Sequence, residues 1–146
     1  MRCPRRETET IMKNIKQAIS AGIVLGLLAL PAAAQSVAVI VNPKNPSPPS
    51  GEQVANIFLG KSNDLVGVDL PDGNAVRDAF YHKVTGKDGA QLKAYWAKLV
   101  FTGKAQPLKE FPSDAEVKKF VAANPNAIGY IDKGAVDGSV KVVLSP

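Results

Sequence analysis

The runs that read as β-strands are apolar along almost their whole length, and this feature constrains the fold most. Residues 36–41 read SVAVIV and residues 127–131 read AIGYI. Strands of this kind are typical of sheets covered on both faces, because a sheet with one face in water alternates apolar and polar residues. Two further strands are predicted at 65–70 and 140–144.

Helical patterns separate these strands. Four helices are predicted: 50–60, a helix starting near Asn74 and ending at Gly86, 88–103, and 113–124. Three of them start with Ser or Asp and carry Gln or Glu three residues later, which is the capping-box pattern. Strands alternating with helices predict an α/β fold, here a single three-layer lobe with a mostly parallel sheet flanked by helices.

The third predicted helix has the clearest apolar stripe. Leu92, Tyr95, Trp96, Leu99 and Val100 recur at the spacing of one helical face. This periodicity predicts that the stripe packs into the core, with Tyr95 and Trp96 as core residues.

The N-terminal segment has the layout of a secretory signal peptide. From Met12 the chain reads MKNIKQAISAGIVLGLLALPAAAQ, with lysines, then an apolar run, then small residues before Gln35. The apolar run is shorter than the about 20 residues that span a bilayer. We predict an N-terminal extension and signal peptide over 1–34, cleaved after Ala34, and a single domain over 35–146. The sequence leaves open whether translation starts at Met1 or Met12.

Removal of this segment changes the charge of the chain. The full chain has a formal net charge of +5, but residues 35–146 carry 13 basic and 11 acidic residues. These lysines are scattered among acids rather than clustered, so no nucleic-acid partner is predicted. Contact with a membrane is expected only through the transient signal peptide, and the predicted location is periplasmic or secreted.

Residues with catalytic or metal-binding chemistry are scarce. His82 is the only histidine, and Cys3, the only cysteine, leaves with the predicted signal peptide. Zinc sites need several such ligands, and a Ser–His–Asp set would have to use His82. We therefore predict no enzyme, no catalytic residues, no metal and no cofactor.

Five segments together resemble a known family. They are VAVIVNPKNP, EQVANIFLGK, VDLPDGNAVRDAFYHKV, LKAYWAKLVFTGKAQP and NPNAIGYI. In this order they are similar to the phosphate-type substrate-binding proteins of ABC transporters, which have the type 2 periplasmic binding protein fold. The resemblance covers nearly all of 35–146, but only the second of the two lobes that close on a ligand in that family.

The resemblance also implies a phosphate-gripping turn that this chain has altered. Family members carry a serine, a glycine and a threonine at the matching helix start, where this chain has Asn74, Ala75 and Val76. The side chain of Val76 donates no hydrogen bond. Phosphate specificity is therefore not implied, although the backbone N–H groups of the helix start remain.

That turn is the main candidate site. Asp72, Gly73, Asn74, Ala75 and Arg77 lie where strand 65–70 ends and a helix begins. Ligands of open α/β sheets bind at the carboxyl ends of strands, and N–H groups at a helix start attract anions. Arg77 adds a guanidinium that can bind two oxygens. The alternative is that Asp72 or Asn74 is a plain N-cap and Arg77 pairs with a surface acid, Asp78 or Glu110.

The pair Gly129 and Tyr130 completes the candidate set. Glycine inside a strand often marks a close backbone approach. Tyr130 either packs in the core or presents its hydroxyl to the cleft, and we include it among the predicted ligand-binding residues.

Two functions follow from these observations. The first is an exported substrate-binding-like protein that binds phosphate or another small oxyanion, with a transporter or a second copy of the chain meeting its open cleft face. The alternative is a non-catalytic periplasmic interaction or sensory module that kept the fold and lost the ligand.

Overall fold

The computed structural model describes residues 35–146, which lie in a single compact unit. The predicted signal peptide and its cleavage site, residues 1–34, lie outside the described residues. The strands are β1 (Val37–Val41), β2 (Val66–Asp69), β3 (Lys109–Glu110), β4 (Ala127–Asp132) and β5 (Lys141–Leu144). The α-helices are α1 (Gly51–Phe58), α2 (Ala75–Thr85), α3 (Gly89–Phe101) and α4 (Asp114–Ala123), and a short 3₁₀ helix spans Lys133–Ala135.

All five strands form one sheet in the order β3-β2-β4-β1-β5. Strand β2 is parallel to both β3 and β4, whereas β1 is antiparallel to its neighbours β4 and β5. Four strands therefore run in one direction and β1 runs against them. The carboxyl ends of β2, β3 and β4 meet at one edge of the sheet.

Helices cover both faces of the sheet. Tyr130 of β4 packs against Phe58 of α1 and Phe80 of α2, while the neighbouring residue Gly129 faces Val117 of α4. Successive residues of a strand point to opposite faces, so α1 and α2 lie on one face and α4 on the other. The predicted three-layer α/β lobe is confirmed.

The close approach expected at Gly129 is also confirmed. A Cβ built at this position would lie 2.6 Å from Val117 Cγ1 and 3.1 Å from Val68 Cγ2. Any side chain here would push α4 away from the sheet, so glycine permits the tight packing of α4 on β4.

The core lies on both sides of β1, where every residue is buried. On the α1 and α2 side it contains an aromatic cluster. Phe80 stacks on Tyr130 with ring centroids 3.9 Å apart, and Phe58 meets Phe80 edge to face at 4.7 Å. Such pairs add about 0.5–1.5 kcal/mol each beyond the apolar area that they bury.

Two features differ from the sequence prediction. Strand β3 was not predicted, because its two residues, Lys109 and Glu110, are polar and exposed. The stripe on α3 packs less than predicted: only Leu92 of α3 is buried, Tyr95 and Trp96 are partly buried against the core, and Val100 is 46% exposed. The reason is that α3 packs beside α2 rather than directly on the sheet.

The two ends of the described chain meet at one lysine. Lys83 Nζ of α2 donates to the carbonyl oxygen of Gln35 at 2.9 Å and to that of Pro146 at 3.5 Å. Between residues 35 and 146, no helix has the length and hydropathy that crossing a bilayer requires.

Candidate functional site

A pocket lined by both charged and apolar residues lies at the carboxyl ends of β2 and β3, beside the first turn of α2. Its volume is about 200 Å³. The charged residues that line it are Asp69, Asp72, Arg77, Lys93 and Glu110, and the apolar ones are Trp96, Pro107 and Leu108. The pairing of Asp69 with Glu110 across β2 and β3 places both carboxylates at the same edge.

Asn74 is the N-cap of α2. Its Oδ1 accepts hydrogen bonds from the backbone N–H groups of Val76, at 2.9 Å, and Arg77, at 3.3 Å. These are two of the N–H groups that an anion at this helix start would use. The chain therefore caps its own helix, as the alternative interpretation expected of Asp72 or Asn74, and Gly73 allows the preceding turn with a φ of 81°.

Arg77 is held between two carboxylates. Its Nη1 lies 3.3 Å from Asp72 Oδ1, and its Nε lies 3.5 Å from Asp69 Oδ1. The guanidinium also lies over the ring of Tyr81, 5.6 Å from the ring centroid. These carboxylates explain why a cation is tolerated in the first turn of a helix, where the helix dipole disfavours it.

The partners of Arg77 differ from the surface acids that the sequence suggested. Among the described residues its ion pairs are with Asp69 and Asp72, not with Asp78 or Glu110. Its side chain is only 12% exposed, and Nε is buried without a hydrogen-bond partner.

Asp69 is a buried carboxylate surrounded by donors. Tyr81 donates its hydroxyl to Oδ2 at 2.8 Å, and Oδ1 accepts from the Tyr130 hydroxyl and, at 2.9 Å, from the Leu70 N–H. Burial raises the pKa of Asp69, while the hydrogen bond from Tyr130 and the charge of Arg77 act in the opposite direction. Asp69 thus links the end of β2 to both α2 and β4.

The same burial acts on the groups around Asp69. Burial, followed by the charge of Asp69, raises the pKa of Tyr130 far above its usual range and also raises that of Tyr81. Burial alone would lower the pKa of Arg77, but the surrounding groups, with Asp69 the largest contributor, together outweigh it and the pKa is raised. Both tyrosines are therefore neutral donors and Arg77 is a permanent cation at physiological pH.

The structure brings part of the predicted ligand-binding set together. Asp72 and Arg77 line the pocket, and Asn74 caps the helix beside it. Gly73 and Ala75 are exposed in the turn. Tyr130 is fully buried behind Asp69 and packs in the core, which is the first of the two alternatives for this residue.

Sequence reasoning did not assign Asp69, Lys93, Trp96 or Glu110 to this site. The single acidic residue in the otherwise apolar run at 65–70 was a signal for Asp69. No sequence signal existed for Lys93 and Trp96, because they reach the pocket only through the way α3 packs beside α2. In the described part of the chain, no three His, Cys, Asp or Glu side chains are grouped closely enough to hold a metal ion.

Two solved structures resemble the described fold. One is an ABC-type phosphate transport receptor from Vibrio cholerae, with a TM-score of 0.58 and 22% identity over 74% of this chain and 45% of the receptor. The other, from Clostridium perfringens, is a protein assigned as a phosphate ABC transporter substrate-binding protein and solved with bound phosphate. It has a TM-score of 0.58 and 27% identity over 74% of this chain and 44% of its own. No protein-family model and no curated protein matches the chain.

These similarities concern a part of longer proteins. The chain spans less than half of the length of the two structures. Both are transport proteins rather than enzymes. The resemblance found in the sequence is thereby confirmed: the described chain has the fold of part of the phosphate ABC transporter substrate-binding proteins, with a length consistent with one lobe.

Proposed function

We propose that the chain is an exported, non-enzymatic substrate-binding-like protein that binds a small oxyanion in the pocket beside α2. The observation that carries this proposal is the presence of Arg77 and Lys93 in one pocket at the carboxyl end of β2. Arg77 is mostly buried, and its Nε has no hydrogen-bond partner. A guanidinium and an ammonium at the edge of a cleft are suited to contact a negatively charged ligand.

The contacts to this ligand differ from those implied by the family resemblance. Asn74 occupies the amides of Val76 and Arg77, and Val76 has no side-chain donor. Side-chain cations rather than backbone amides therefore contact the oxyanion. This arrangement does not select phosphate over other oxyanions.

A second wall is needed to close the pocket. The chain spans 45% and 44% of the two solved structures, and the family resemblance implies a cleft that closes between two lobes. We propose that a transporter subunit or a second copy of the chain covers this face. Enclosure by a partner would exclude water and strengthen the charge contacts.

The signal-peptide layout of residues 1–34 supports a proposal for the cellular location. We propose that residues 1–34 direct export and that the chain works in the periplasm or outside the cell. N-terminal sequencing of the exported protein is expected to begin at Gln35. An intact N-terminus on the exported protein would contradict cleavage after Ala34.

Oxyanion binding is tested by thermal unfolding with millimolar phosphate and sulfate. We expect both to raise the melting temperature, because a ligand that binds only the native state stabilises it. Lys93→Gln is expected to reduce the shift, while the control Lys98→Gln, on the same helix but outside the pocket, retains it. Equal shifts in both variants would place binding elsewhere, and no shift in any form would overturn the proposal.

One observation favours a second function, a non-catalytic interaction or sensory module. The first-turn amides of α2 and the charge of Arg77 are already satisfied within the chain, and Phe101 at the end of α3 is 92% exposed. A large exposed aromatic side chain is a typical anchor in protein interfaces. Light scattering and calorimetry separate the two functions: a monomer that responds to no oxyanion favours the module.

A further inference from the structure

The charge of the pocket beside α2 is not simply positive. Three carboxylates, Asp69, Asp72 and Glu110, line it together with two cations, Arg77 and Lys93. A plain dianion such as phosphate would gain contacts with the cations but would also approach three negative groups. The carboxylates therefore weaken the binding of a dianion without abolishing it, because the cations lie in the same pocket.

The charges fall into a paired and an unpaired group. Arg77 forms ion pairs with both Asp69 and Asp72, so these three groups together keep one more negative than positive charge. In the part of the chain that the structure describes, neither Lys93 nor Glu110 takes part in an ion pair within 4 Å. The pocket therefore presents one cation and one anion that are not neutralised by each other.

Asp72 adds a further carboxylate to the lining of the pocket. Its side chain is 67% exposed, so it faces both Arg77 and the open part of the pocket. The apolar side chains of Trp96, Pro107 and Leu108 line the same pocket. Such a lining suits a ligand with a charge at each end and a short carbon link between them.

We infer that the ligand of this pocket is a small zwitterion, with an oxyanion group directed to Lys93 and Arg77 and an ammonium group directed to Glu110 and Asp72. This inference rests on the proposed oxyanion-binding function and specifies the class of ligand. A volume of about 200 Å³ is below the usual range of about 300–1,000 Å³ for drug-sized ligands, so the ligand is short.

The test compares two phosphonates that differ in one amino group. We expect calorimetry to show that aminomethylphosphonate binds at least tenfold more tightly than methylphosphonate at pH 7. Glu110→Gln should abolish most of this preference, because it removes the carboxylate that faces the ammonium group. Glu52→Gln, on α1 and outside the pocket, is the matched control and should keep the preference.

The results separate this inference from the proposed function. Equal affinity within each of two pairs, the two phosphonates and glycine with acetate, and no effect of Glu110→Gln, would overturn the zwitterion but retain oxyanion binding. Failure of both phosphonates, phosphate and sulfate to bind would overturn both.

A second pair of probes identifies the oxyanion end. Glycine and acetate differ by the same amino group but carry a carboxylate. A preference for glycine over acetate, lost in Glu110→Gln, would support a zwitterion with a carboxylate. The absence of a preference in both pairs would overturn the inference.

Discussion

Helices α1 and α3 start in the same way and are used differently. Each begins with a capping box, formed by Ser50 and Gln53 in α1 and by Asp88 and Gln91 in α3. Helix α1 buries three of its eight residues, whereas α3 buries only Leu92 among thirteen. Phe58 of α1 is fully buried, but Phe101 of α3 is 92% exposed.

The difference shows that helical periodicity and burial are separate properties. An apolar stripe predicts that a helix forms and which side is apolar, but a second layer must be present to cover that side. Helix α1 contacts β2 and α2. Helix α3 packs beside α2 and reaches the segment after α1 through Tyr95 and Trp96. Packing, rather than local sequence, therefore sets the stability that each helix contributes.

The largest expected difference concerns the two phenylalanines. Phe58→Ala leaves a cavity in the aromatic cluster and should lower the free energy of unfolding by about 3–5 kcal/mol. Phe101→Ala removes an exposed ring and should change it by less than about 0.5 kcal/mol. Urea unfolding of both variants measures this contrast. Similar losses would mean that α3 is covered in solution, for example by a second copy.

A smaller contrast is expected between two tyrosine hydroxyls. Tyr130→Phe removes a buried donor to Asp69, and the loss should be about 1–3 kcal/mol because the carboxylate stays buried. Tyr95→Phe removes a bond of 2.6 Å to the carbonyl oxygen of Leu59, where water can take over, so the loss should be smaller. Thermal unfolding of the two variants measures these losses. A larger loss for Tyr95→Phe than for Tyr130→Phe would mean that buried Asp69 does not need the hydrogen bond from Tyr130.

Substitution of the N-caps of α1 and α3 should show which helix unfolds with the whole domain and which unfolds locally. Ser50→Ala should cost about 1 kcal/mol of global stability, because α1 unfolds only with the core. Asp88→Ala should instead speed amide hydrogen exchange within α3 and leave exchange in the core strands nearly unchanged. Faster exchange throughout the sheet in Asp88→Ala would show that α3 unfolds together with the core.

The smallest effect on stability is expected at the surface ion pair between Lys118 and Asp137, which lies outside α1 and α3. The hydrogen bond from Lys118, at 2.8 Å, and those from Ser139 lower the pKa of Asp137 below its usual range. Because the pKa of Asp137 is lower in the folded state, its ionised form stabilises the protein at pH values above 3.8, the pKa in the unfolded chain. This contribution is lost as the pH falls below 3.8 toward the pKa of the folded state. The melting temperature of Asp137→Asn should lie slightly below that of the wild type at pH 6, and the gap should close toward pH 2. A difference in melting temperature that stays constant with pH would show that the ionisation of Asp137 does not stabilise the fold.

Local sequence signals predicted most of the fold. The caps at Ser50, Asp88 and Ser113 are the observed helix starts, and the apolar runs became β1, β2 and β4. These features depend on residues close together in the chain. Strand β3 could not be predicted in the same way, because two exposed residues carry no pattern and pair only once β2 is in place.

The candidate site was less predictable for the same reason. The turn before α2 was visible in the sequence, but the choice of Asp69 as a partner for Arg77 depends on how α2 turns back over the end of β2. Lys93 and Trp96 reach the pocket through the packing of α3 on α2. The set of charges that meet in the site therefore depends on tertiary packing and not on local sequence.

The meeting of residues 35 and 146 at Lys83 has a consequence for architecture. A lobe whose ends are adjacent can be joined to other polypeptide at a single place without stretching its strands. Fusion of another polypeptide at this place is therefore expected to leave the packing of the five strands unchanged.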